Sequence, residues 1–255
     1  MNGTFIAGIR EIFLEYWPSF LLGIRFTLLL SILGTIFGLL IGLAVGGFRA
    51  VRIDHTASDA LKRTKKVFDA LTTAYIDIFR GTPMMVQALF LYYAFLNVFH
   101  WDKVTAGIVV ISVNTGAYMA EIVRSGIQAV DKGQTEAARS LGFSNSQTMI
   151  NVILPQAIRN IFPAIGNELI VNIKDSSVLM ILSITDLMFQ SKSIAGSTFK
   201  FTVVYFITAV IYFILTKTAA VIMNILEKRL NLPHASIPQS DTDASSMNIG
   251  GETHV

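Results

Sequence analysis

Cysteine is absent from the sequence, which excludes disulfides, thiolate metal sites and cysteine nucleophiles. Charge is scarce: 15% of the 255 residues are Asp, Glu, Lys or Arg, against 53% that are hydrophobic. A soluble domain carries about 25% charged residues, and the mean hydropathy of +0.58 lies far to the apolar side. No G-x-x-x-x-G-K-[ST] stretch is present to cradle nucleotide phosphates, so no ATP site and no cofactor is expected on this chain. G-x-S-x-G, H-E-x-x-H and paired histidines within an apolar segment are missing as well, which argues against an intramembrane enzyme. The 4 histidines lie outside the apolar segments without ligand spacing, so no metal site is expected. The first 20 residues hold acids, an arginine and no small-residue cleavage site, so no removable signal peptide is expected. A net charge of +3 says nothing in favour of nucleic acid.

What the chain has instead is apolar blocks, each long enough to approach the roughly 20 residues a membrane crossing needs. Five are expected, at about 20–48, 84–99, 104–123, 161–182 and 201–226. The fold class is therefore all-α transmembrane. Residues 1–17 space Phe5, Ile9, Ile12, Phe13 and Tyr16 as an amphipathic surface helix. The transmembrane domain is expected over 18–230. Residues 231–255, rich in Ser, Asp, Asn and Gly, read as a disordered cytoplasmic tail. In "FRGTP", Gly81 and Pro83 are placed to break or kink the helix that leads into the second block.

Five crossings put the termini on opposite sides. Segments after the first, third and fifth blocks hold 12 Lys and Arg, from Arg49 to Arg229, while the opposite face holds 4: Arg10, Lys103, Lys192 and Lys200. The positive-inside rule then predicts an outside N-terminus and a cytoplasmic C-terminus.

The third and fourth blocks are joined by a polar, helix-prone loop at about 132–160, expected on the cytoplasmic side. Gln134 or Thr135 can start a short helix with Glu136 in its first turn, where the dipole favours a carboxylate. Ala137, Ala138 and Leu141 form a small apolar face, and Gly142 is placed to end the helix in a left-handed turn. Ser144 followed by Gln147 reads as a capping box for a second helix, with Met149, Ile150 and Ile153 on its apolar face and Pro155 interrupting it. Spacing alone leaves open whether this helix pair docks a partner or merely connects two spans on the membrane surface.

The residues "EAARSLGFSNSQTMINVILPQA" resemble the EAA loop of ATP-binding cassette importer permeases, with Glu136, Ala137, Ala138, Gly142 and Pro155 at the matching positions. "FRGTPMMVQALFLYYAF", "SVNTGAYMAEIVRSGIQAV" and "NIKDSSV" are similar to segments of the polar amino-acid subfamily, and the resemblance covers about 17–229. It implies that the loop forms coupling helices, which dock on a cytoplasmic ATPase dimer that carries the ATP and Mg. It also implies a second permease subunit, identical or related, an external amino-acid-binding protein as a separate chain, and a polar amino acid as substrate.

Polar groups inside apolar blocks mark a candidate pathway, because burying them unpaired in lipid is expensive. Gln87, Asn114, Glu121, Glu168, Asn172 and Asp175 are such groups, and the spacing of Glu168, Asn172 and Asp175 places them on one helix face. Pairing of Asp175 with Lys174, and of Glu121 with Arg124, is the structural alternative. Gly34, Gly38, Gly42 and Gly46 form a smooth ridge that suits helix packing within the chain or against another subunit. Lys217, deep in the fifth block, can snorkel or pair with a neighbour, and the sequence assigns it no role. An ion-coupled secondary transporter is the competing function, opposed by the low number of spans and the lack of a repeat.

Overall fold

The structure, a computed structural model, describes residues 2–51 and 58–230, with side chains from residue 5 onward. The expected tail at 231–255 and Arg52 of the basic segment lie outside the described residues. All secondary structure described is helical. Long helix α1 (Asn2–Ala50) is followed by α2 (Asp59–Gly81), α3 (Met84–Phe99) and α4 (Lys103–Gln128). Two short helices, α5 (Lys132–Ser140) and α6 (Asn145–Thr148), pass through a π-helical turn (Met149–Ile153) into α7 (Leu154–Asp175). A 3₁₀ segment (Ser176–Leu182), α8 (Leu187–Thr198) and α9 (Phe201–Arg229) complete the order. Among the described residues, α1, α4 and α9 are each long and apolar enough to cross a membrane. Two further spans arise if the bent pairs are each one crossing: α2 with α3, at 117°, and the Asn145–Leu182 run with α8, at 56°.

The α2–α3 break follows from its sequence. Pro83 has no N–H to donate and disfavours helical geometry in the residue before it, so Thr82 is extended at φ −121° and ψ 148°. The chain then restarts at Met84 in a new direction.

The N-terminal segment differs from the expectation of a separate surface helix at 1–17. It runs into the first span as one helix, because Pro18 removes only a single backbone bond while apolar packing continues on both sides of it. Ile12 and Phe20 share one buried cluster with Leu187, Ile194, Val204 and Ile207, so the first turns are held by α8 and α9. At the start of α4, Asp102 caps the helix by accepting from the Val104 and Thr105 amides, and the Thr105 hydroxyl holds its carboxyl below the usual range.

Helix directions can be read from close approaches. A Cβ on Gly34 would meet Ile111, on Gly38 Thr115, on Gly42 Met119 and on Gly46 Val123, so α1 and α4 run side by side in the same direction. Gly126 faces Ile161 while Asn172 reaches Thr115, so α7 runs antiparallel to both. Gly166 lies against Met223, so α9, whose first turns pack on α1, also packs on α7. The α1–α4 seam is tight because glycine leaves room for the neighbouring backbone, which offsets its low helix propensity.

Candidate functional site

The α5–α6 loop is built by local hydrogen bonds. Asp131 caps α5 by accepting from the Gly133 amide. The helix therefore begins about one turn earlier than the sequence suggested, and Glu136 lies beyond the first turn, outside the reach of a capping role. Its carboxylate is exposed and has no partner among the described residues. At the other end, the Phe143 amide donates to Ala138 O and the Gly142 amide to Arg139 O, with Gly142 at φ +86°. That pair of bonds is a Schellman cap. Ser144 and Gln147 then exchange the two bonds of a capping box, at 2.9 and 3.2 Å, and Arg139 donates to the Asn145 side chain across the turn.

The apolar residues of this loop divide. Ala138 is buried, while Ala137 is exposed and Leu141 is 79% exposed. Met149 and Ile153 pack with Val123, Ile127, Val130, Ala157 and Ile161 on the ends of α4 and α7, whereas Ile150 is 61% exposed. Pro155 does not interrupt the helix as expected. The preceding turn widens to π geometry, with the Leu154 amide reaching back to Met149 O, so the proline ring is accommodated without a break. The loop is thus anchored underneath and presents Leu141, Ile150 and the Glu136 carboxylate outward.

The polar groups inside the bundle fall into separate assemblies. Gln87 and Asn114 serve the α2–α3 break. The Gln87 amide donates to Phe79 O, Thr82 O and Thr82 Oγ1 at 2.8–2.9 Å, and Asn114 donates to Gln87 Oε1 at 2.8 Å. They satisfy carbonyls that a broken helix exposes, the condition for tolerating a break at membrane depth. Asn172 is buried away from Glu168 and Asp175, against the expectation of one shared face. It donates to Thr35 Oγ1 at 2.9 Å and accepts from Thr115 Oγ1 at 3.1 Å, while Ser31 donates to its carbonyl at 3.0 Å. The three hydroxyls draw it into the junction of α1, α4 and α7. Glu121 is held by two arginines, Arg124 and Arg49, each at 2.7 Å. Arg49, from the end of α1, was not foreseen as a partner.

What stays open is one face of α7. Asn167, Val171 and Lys174 are exposed along it, with Glu168 and Asp175 partly buried beside them. No hydrogen bond or ion pair engages Asp175 among the described residues. Glu168 lies within range of the charges of Asp175 and Arg80. Arg80, at the end of α2, is 5.3 Å from the centre of the Tyr118 ring of α4, a cation–π arrangement. Sequence reasoning missed Arg80 and Tyr118, whose signal was a lone arginine four residues after Ile76 on the core face of α2. Among the described residues no cluster of three or more metal-ligating side chains occurs.

A helical, multi-pass membrane protein with a broken second span and an ordered polar loop between α4 and α7 defines a class of transport subunit. Residues 56–232 match the family described as binding-protein-dependent transport system inner membrane component. The probable amino-acid ABC transporter permease protein YckA of Bacillus subtilis (strain 168) is 38% identical over 85% of this chain and 91% of its own length. The glutamine transport system permease protein GlnP of Escherichia coli (strain K12) is 34% identical over 85% of this chain and 96% of its own. A solved amino acid ABC transporter with histidines superposes with a TM-score of 0.73 at 39% identity, over 85% of this chain and 96% of that one. The MetNI methionine ABC transporter, in an inward-facing conformation, shares the fold at a TM-score of 0.71 and 22% identity. The chain belongs to the binding-protein-dependent transport system inner membrane component family, as a permease of ABC importer type.

Proposed function

We propose that this chain is the transmembrane permease subunit of an ATP-driven importer of polar amino acids in a bacterial cell membrane. It crosses the membrane five times, with the N-terminus outside and the α5–α6 loop in the cytoplasm. A second permease subunit completes the path, an ATPase dimer carries the ATP and Mg, and an external binding protein delivers the amino acid. The carrying observation is the loop itself. A Schellman cap and a capping box fix a short exposed helix pair that holds Leu141 and Ile150 out to solvent. An apolar tip on an ordered polar loop suits a partner's groove better than it suits water. The curated relatives named for amino-acid and glutamine transport support the substrate class.

Within the bundle, the open face of α7 is the part that suits a zwitterion. Arg80 offers a guanidinium to a carboxylate, and Glu168 and Asp175 offer carboxylates to an ammonium group. Asn114, Gln87, Asn172 and Glu121 act as supports around that face, since each is engaged within the protein.

The test is capture of the tagged chain from detergent with identification of its partners, together with uptake assays. Association with an ATPase, and uptake that fails on ATP depletion but survives an uncoupler, is the expected result. Uptake that collapses with the uncoupler while ATP is present points instead to an ion-coupled carrier. Orientation is read from single cysteines in this cysteine-free chain: Ser193→Cys should react with an impermeant thiol reagent from outside, and Ser144→Cys should not.

A further inference from the structure

The N-terminal turns of α2 stand apart from the bundle. Arg49 donates to Thr73 Oγ1 at 3.2 Å, and the Phe48 ring meets that of Phe68 edge-on at 5.5 Å, so α2 passes the end of α1 between Phe68 and Thr73. Ile76 then packs on Ala117 and Ala120, and Phe79 O accepts from Asn114 further back along α4, so α2 runs antiparallel to α1 and α4. The stretch from Asp59 to Phe68 therefore carries the helix about 14 Å beyond the end of α1. No side chain of α2 before Thr72 is buried, and residues 59–64 are all exposed. A helix segment this short is marginal in water when nothing packs on it. It is nevertheless capped, with the Ser58 hydroxyl accepting from the Leu61 amide at 3.4 Å.

The exposed surface of α2 is divided lengthwise. Val67, Leu71, Ala74 and Ile78, at spacings of four, three and four, form one apolar stripe, and Val67, Leu71 and Ile78 are each more than half exposed. That stripe ends at Val67. One turn earlier stands Arg63, and Lys66 lies a turn from Arg63 on the polar side. Four bases face two acids in these turns. Asp69 holds Lys65 at 2.7 Å, and Asp59 lies 3.8 Å from Lys62. Arg63 and Lys66 are exposed, and neither a hydrogen bond nor an ion pair engages them among the described residues.

We propose that the turns from Asp59 to Leu71 form a binding site for anionic lipid headgroups of the cytoplasmic leaflet. Val67 and Leu71 enter the acyl chains, and Arg63 and Lys66 meet headgroup phosphates. The inference rests on the permease reading above, which puts the end of α1 on the cytoplasmic side. An apolar stripe that gives way to cations at its water end is the pattern of a helix held in the membrane interface. A guanidinium can take two phosphate oxygens at once, and a lysine stem can lie along apolar surface while its ammonium group stays at the headgroups. The helix anchored in this way is the one that carries Arg80 at its other end, beside Tyr118 and the open face of α7.

The chain has no cysteine, so Ala60→Cys can carry a single fluorophore in the complete transporter. Reconstitution is into vesicles of phosphatidylcholine and phosphatidylglycerol in equal parts, with a nitroxide on one lipid or on the other. Stronger quenching by phosphatidylglycerol, weakened by high salt, is the expected result. Arg63→Gln together with Lys66→Gln should lower that preference about fivefold or more, whereas Arg63→Lys with Lys66→Arg should keep it. Equal quenching by the two lipids, with ATP-driven uptake intact, would overturn the lipid site and leave the permease reading standing. A preference that survives the double glutamine variant would overturn it as well. So would a fluorophore shielded from both lipids and reached only once the ATPase is stripped away, since a protein then covers these turns. Failure of the permease reading has its own signatures: no ATPase in the purified complex, or labelling of Ala60→Cys by an impermeant reagent from outside the cell.

Discussion

The Asn172 amide of α7 donates to the Thr35 hydroxyl of α1 over 2.9 Å in the buried interior, and the Thr115 hydroxyl of α4 closes the triangle from the third side. One polar side chain therefore ties three helices together at the depth where water is least available. Asn172→Ala should remove both side-chain bonds and leave a small void, lowering stability by about 1–3 kcal/mol. Thermal unfolding in detergent measures this. Unchanged unfolding would mean that packing alone holds the junction.

The glycine ridge gives a sharper contrast. A Cβ at Gly42 would lie 2.3 Å from Met119 Cβ and 2.8 Å from the Met119 carbonyl carbon, whereas one at Gly47 would meet nothing within 4 Å. Gly42→Ala should force α1 and α4 apart and cost about 1–3 kcal/mol. Gly47→Ala should be neutral or slightly stabilising, since alanine favours helix by up to about 1 kcal/mol over glycine. Melting temperatures of the two variants decide it, and equal values would sink the close-packing account.

These two cases show how legibility in the sequence depends on locality. Gly142 and the Ser144–Gln147 box were readable because cap chemistry lies within a few residues of chain. The apolar blocks were readable for the same reason. Asn172 was misplaced because what turns it inward, Thr35 and Thr115, is 137 and 57 positions away. Gln87 and Asn114 were visible as polar residues in apolar blocks, but their task, sealing the carbonyls of a broken helix, appears only once the break brings Phe79 beside them. The start of α5 lies about a turn before the Gln134–Thr135 position, because the Asp131 side chain takes the cap, and Asp131 sits outside the polar pattern that marks the helix in the sequence.

If the open face of α7 carries the amino acid, Asp175→Asn and Arg80→Ala should each reduce uptake at least tenfold while ATPase association and folding persist. Neither side chain supports the core: Asp175 has no hydrogen-bond or ion-pair partner among the described residues, and Arg80 rests on the surface of Tyr118. Losing one charge-assisted contact of about 1.5–3 kcal/mol accounts for a change of that size. Uptake of a panel of polar amino acids, normalised to membrane abundance, is the measurement. Normal rates in both variants would place the path elsewhere.

The loop between α4 and α7 allows a substitution that separates coupling from folding. Gly142 sits at φ +86° with open space around it, so a side chain there is opposed by backbone strain and by nothing steric from neighbours. Left-handed geometry costs an ordinary residue about 1–2 kcal/mol, and β-branched residues resist it most. Gly142→Val should therefore break the Schellman cap, releasing the Phe143 and Gly142 amides from Ala138 and Arg139 and freeing Leu141 from its fixed position. Gly142→Asn, which tolerates positive φ, should act far more mildly. None of the spans is touched, so both variants should reach the membrane in normal amounts. The expected defect is in ATPase co-purification or in uptake per ATP hydrolysed, strong for valine and weak for asparagine. Valine and asparagine variants that couple equally well would reduce this loop to a connector.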